Sequence, residues 1–152
     1  MKLIIAVCIF FLLVFPTASF ADVRIHAYSS KNNADLTLNP VTGKLTSASA
    51  SSSITETDRF TLKDGVLFYN GQPTIKAIEI LAQSAADGTD IVVVRIEMLG
   101  LGNPLALLAG HPKQVSKIVV AGFRNGRAVW QHRIAKEAYS GKWLASITSP
   151  EA

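Results

Sequence analysis

Cysteine is almost absent. Cys8 is the only one in 152 residues, and it lies inside the apolar N-terminal run. Without that run no disulfide can staple the fold, and no thiol can act as nucleophile or metal ligand. Histidine is nearly as scarce. His26, His111 and His132 stand alone, none at a His-x-x-x-His spacing, so no metal site is expected. Ser84, Ser116 and Ser140 all lack the Gly-x-Ser-x-Gly context of a strained nucleophile turn. Gly100-Leu101-Gly102-Asn103-Pro104 opens a candidate helix, but it lacks the Lys and Ser/Thr of a phosphate loop. Asn-x-Ser/Thr is missing as well. Glu79 and Glu97 fall on neighbouring candidate strands, where a fold could bring two carboxylates together. Glu97, together with Arg95 on the same strand, reads more simply as a maker of cross-strand ion pairs. The expectation is a protein that is not an enzyme and carries no cofactor.

What is present begins with an export signal. Lys2 precedes an uninterrupted apolar run from Leu3 to Phe15, and Pro16 stops it. That run is too short for a spanning helix, which needs about 20 apolar residues. Ser19 and Ala21 satisfy the small-x-small rule, so cleavage is expected after Ala21. The alternative is a retained anchor. Cleavage leaves residues 22–152 as a single β-rich domain, large enough to stand on core packing. A cysteine-free exported chain fits a bacterial envelope, so the expected location is periplasmic or secreted.

Two-residue alternation dominates this domain. Val23, Ile25 and Ala27 alternate with Arg24, His26 and Tyr28, as in a half-buried strand. Asp64-Gly65 is a favoured hairpin turn; it pairs Leu62 with Leu67 and Phe60 with Tyr69 on one face. Thr74 to Ala86 reads as strand through its three isoleucines, with a helix over 74–86 as the alternative. On that strand reading, Ser84 to Asp90 is a loop. Val92, Val94, Ile96 and Met98 form one apolar face of the next strand. Its other face, Ile91, Val93, Arg95 and Glu97, is apolar at one end only. Asn103, Pro104 and Gly110 frame a short helix over Leu105 to Ala109. Asn125-Gly126 closes a second hairpin, pairing Phe123 with Ala128, Ala121 with Trp130, and Val119 with His132. Lys142 to Ile147 completes the set after a loop or helical turn. The fold class is therefore mainly β: an antiparallel β-sandwich, immunoglobulin-like, with one or two short helices. An α+β fold is the alternative if 74–86 is helical.

From Thr74 onward the strand spacing resembles an immunoglobulin-like domain. Val115 to Trp143, with its Asn-Gly hairpin, is similar to the sandwich of sulfur-oxidation carrier subunits. The likeness implies a β-sandwich and carries no functional residue across.

Charge is uneven: residues 22–110 sum to −2 and residues 111–152 to +5. In the second hairpin Arg124 faces Arg127, with Arg133 expected further along the same face. Like charges directly opposite destabilise a hairpin. An anion held between them removes the problem, so Arg124, Arg127 and Arg133 are the candidate anion- or partner-binding residues. The expected function is a non-catalytic binding or accessory module that contacts another envelope protein or an anionic ligand. No nucleic acid is expected, and the membrane enters only through the signal before cleavage. The alternative is an assembly subunit that self-associates by edge-strand pairing, with the Ser/Ala-rich stretch from Thr46 to Thr57 as the exposed edge.

Overall fold

The computed structural model describes residues 22–46, 54–100, 113–135 and 142–150. The expected export signal and the helix expected over Leu105 to Ala109 lie outside them.

Four Asx-Gly pairs set the topology. Asp64-Gly65, Asn70-Gly71, Asp87-Gly88 and Asn125-Gly126 all have both residues at positive φ, between 50° and 81°. That is the type I′ turn, whose twist matches the strands it joins. The first two turns link β4 (Phe60–Lys63), β5 (Val66–Tyr69) and β6 (Gln72–Lys76) into one small sheet. The third links β7 (Glu79–Ala86) to β8 (Thr89–Gly100), and the fourth links β9 (Lys113–Arg124) to β10 (Arg127–Ala135). With β3 (Ile54–Glu56), these last four strands form a five-stranded sheet in the order β10-β9-β8-β7-β3. A second small sheet has the order β11-β1-β2, from β1 (Val23–Tyr28), β2 (Asn33–Leu38) and β11 (Leu144–Thr148). All pairings are antiparallel.

The mainly β, antiparallel expectation is met, and the described residues contain no helix. Residues 74–86 are strand, split between β6 and β7 at Ala77 and Ile78, so the α+β alternative does not hold. The loop expected over Ser84 to Asp90 shrinks to the Asp87-Gly88 turn, because Asp-Gly acts here as it does at Asp64-Gly65.

Where an immunoglobulin-like sandwich has two sheets, the described residues form three, with the five-stranded sheet in the middle. On one side Val23, Ile25 and Ala27 of β1 pack onto Ile91, Val93, Ile118 and Val120. On the other, Phe60, Leu67 and Tyr69 pack onto Val92, Val94, Ala121 and Phe123. Alternation along β8 therefore sends side chains into two cores. Ile91, Val92, Val93 and Val94 are all 0 % exposed, which explains four apolar residues in a row. Each such burial contributes roughly 1.5–3 kcal/mol.

The lower core centres on three rings. Phe60 stacks on Tyr69 at 4.9 Å, and Phe123 lies 5.2 and 5.0 Å from the two. The buried Asp90 carboxylate accepts from the Tyr69 hydroxyl at 2.5 Å and from Arg59 at 2.9 Å. The Gln83 amide pairs with both backbone groups of Phe60 at 3.2 Å, tying β4 to the central sheet.

The register of the first hairpin is as expected, with Phe60 opposite Tyr69 and Leu62 opposite Leu67. The second departs from expectation. Arg124–Arg127 and Phe123–Ala128 pair as foreseen, then a β-bulge shifts the ladder by one residue. Trp130 pairs with Gly122, His132 with Val120 and Arg133 with Val119. Phe123 and Trp130 consequently belong to opposite cores. The expected single apolar face across this hairpin is corrected accordingly. The reason is steric: only Gly122 leaves room for the indole, and the extra residue, Val129, is pushed out to 42 % exposure.

Candidate anion-binding surface

The bulge builds a clamp on the upper side of the sheet. The Trp130 indole lies against Gly122 on one side and Gly43 on the other. A Cβ at either glycine would come within 2.2–2.3 Å of it. Gly43 belongs to the turn after β2, which Asn39 organises by accepting from the amides of Val41 (2.8 Å) and Thr42 (3.1 Å). Three side chains of the hairpin donate to carbonyls of this turn. Trp130 Nε1 bonds Pro40 O at 2.8 Å, an Arg124 terminal nitrogen bonds Val41 O at 2.8 Å, and His132 Nε2 bonds Gly43 O. A carbonyl only accepts, so His132 carries its proton on Nε2. His132 is thus a satisfied, half-buried histidine at the core margin.

Arg124 and Arg127 stand directly opposite each other at the hairpin end, as the turn predicts. Arg124 is half-buried, and its Nε has no hydrogen-bond partner. Arg127 is exposed beside it. No ion pair engages either arginine among the described residues. With Asn125 and Val129 they line a shallow surface depression.

Arg133 is not part of this surface. The bulge rotates it to the opposite face, across from Val119, where it lines a groove with Lys76 and Lys117. The three-arginine face expected from the sequence therefore separates into an Arg124–Arg127 pair and a distinct Lys76, Lys117 and Arg133 set. Sequence reasoning missed both lysines. Lys117 was findable, since it lies two residues before Val119 and so shares its face; Lys76 was not, because it arrives from another sheet.

No cluster of three metal-ligating side chains occurs among the described residues. Glu79 stands opposite Arg95 in the β7–β8 register, while the Glu97 side chain lies outside the described residues. His26 is engaged by Asn33 at 2.5 Å. Compared with known protein families, curated proteins and solved structures, the chain matches none.

Proposed function

We propose that the protein is an exported, non-catalytic binding or accessory module that docks an acidic surface of another envelope protein through Arg124 and Arg127. One observation carries the reading: the Asn125-Gly126 turn holds two arginines face to face, and among the described residues no carboxylate pairs with either. Such a pair opposes hairpin formation unless an anion from outside sits against it. Arg124 is also steadied by Val41 O, which fixes its position before a partner arrives.

A photo-crosslinker at exposed Asn125, used in intact cells, tests this. Capture should be lost on Arg127→Glu, and the captured segment should be rich in Asp and Glu. Arg127 touches neither core, so the variant should keep its fold. Undiminished capture by folded Arg127→Glu defeats the proposal.

A second reading has one observation in its favour. β3, from the Ser/Ala-rich stretch, is a three-residue edge of the central sheet. Edge strands are templates for pairing with another chain. An assembly subunit would self-associate with rising concentration in sedimentation, and Thr55→Lys would suppress it. A monomer at all concentrations excludes this reading.

A further inference from the structure

The small β4-β5-β6 sheet does not cover the whole lower face of the central sheet. It seals the end holding Asp90, Val92 and Phe123, then stops at β6. Past that edge a groove of about 630 Å³ runs between β6 and the ends of β8, β9 and β10. This is within the usual range for small-molecule sites, roughly 300–1,000 Å³.

The lining has a definite chemistry. Ile75, Ile96 and Val119 supply apolar surface, and Lys76, Lys117 and Arg133 supply the charge. No Asp or Glu lines it among the described residues, and none of the three cations forms an ion pair there. The ladder sets their arrangement. Lys117 is opposite Ile96, and Arg133 is opposite Val119, two residues beyond Lys117 on β9. Lys117 and Arg133 therefore share one face of the sheet, and a second register shift, between Arg133 and Ala135, lies next to them in the ladder. Lys76 joins them from the facing sheet. Ile75, an apolar residue that is 40 % exposed, also faces this space. The Val129 bulge is what delivers Arg133 to this side. Bulges commonly re-aim side chains at functional places.

We propose that this groove binds a small amphiphilic anion, with a carboxylate, phosphate or sulfate head between Lys117 and Arg133 and an alkyl or aryl body against Ile75, Ile96 and Val119. Charge complementarity selects the head, and the apolar floor selects the body. The site is independent of the Arg124–Arg127 surface and stands or falls separately.

The test is calorimetric titration of the protein, purified as the expressing cell leaves it, with decanoate and with decyl phosphate. Both should bind, while decanol and inorganic phosphate should bind at least tenfold more weakly. Lys117→Gln/Arg133→Gln should weaken decanoate at least tenfold with the circular dichroism spectrum unchanged. Arg127→Gln should leave it unaltered. Vesicles containing phosphatidylglycerol separate the sources of the head group. Binding to them that depends on Lys117 and Arg133 assigns the anion to a lipid, and its absence assigns it to a free amphiphile. Equal binding of decanol and decanoate, equal binding of inorganic phosphate, or undiminished decanoate binding by the folded double variant overturns the proposal. Should Lys117→Gln/Arg133→Gln fail to fold, Arg133→Gln alone, at an exposed position, gives the same reading.

Discussion

Replacing Gly122 by alanine probes the Trp130 clamp with a single methyl group. The added Cβ would stand 2.2 Å from Cε2, 2.4 Å from Nε1 and 2.5 Å from Cζ2 of the indole. The ring cannot retreat, because Gly43 closes its other side and Pro40 O holds Nε1 at 2.8 Å. Overpacking of this kind costs about 1–3 kcal/mol. Losing the indole hydrogen bond adds about 0.5–1.5 kcal/mol. The lower chain entropy of alanine returns about 0.5–1 kcal/mol. The net expectation is a loss of about 2 kcal/mol, or roughly 6 °C in Tm for a domain of this size. Urea unfolding followed by tryptophan fluorescence measures it. A cycle with Trp130→Ala sharpens the argument. Without the indole the methyl has room, so Gly122→Ala should there cost nothing, giving a coupling of about 2 kcal/mol. Full stability of Gly122→Ala, or a cycle without coupling, would refute the reasoning.

Gly43→Ala should be worse than Gly122→Ala, by a further ~1 kcal/mol in urea midpoint analysis, because the same clash is joined by a φ of +74°. Tyr69→Phe should cost about 1–3 kcal/mol by removing a donor from buried Asp90. Burial, and then the bond to Asp90, raise the Tyr69 pKa above its ordinary value of 10.0. The folded state thus keeps its proton longer than the unfolded chain. Stability should hold up to about pH 10 and fall above it, and Tyr69→Phe should blunt that alkaline loss in pH-dependent unfolding. Gln83→Ala should cost about 1–2 kcal/mol and speed amide exchange at Phe60, whose backbone loses both partners.

The strands and their turns were legible because local chemistry dictates them. Asp64-Gly65 fixed its own register, since the turn and the pairing of Phe60 with Tyr69 agree. Asp87-Gly88 carries the same signal, and it makes a tight turn where the strand reading of 74–86 expects a loop over Ser84 to Asp90. The third layer had a signal too. Ile91 to Val94 is a continuous apolar run, which suits a strand covered on both faces better than one covered at one end. The bulge was harder to see. Ala128, Trp130 and His132 alternate cleanly, and nothing local to β10 marks Val129 as the extra residue. The clue sits across the ladder, where a mid-strand glycine, Gly122, signals close approach of a large group. Because Arg133 lies beyond the bulge, the candidate site inherited that error, while Arg124 and Arg127, ahead of it, did not. Lys76 reaches the groove only through packing of one sheet on another, which no single-strand pattern encodes.

Val129 also makes the length tolerance of β10 lopsided. Between Ala128 and Trp130 the strand holds one residue more than β9 can match, so excising Val129 leaves Trp130 seated on Gly122 and the residues up to Arg133 in phase. Excising Gln131 instead exchanges the two sides for all that follows. The imidazole of His132 would swing toward the groove, and a guanidinium would arrive beneath the turn that His132 now secures. Two deletions two positions apart thus have opposite fates, one silent and one inverting the ribbon.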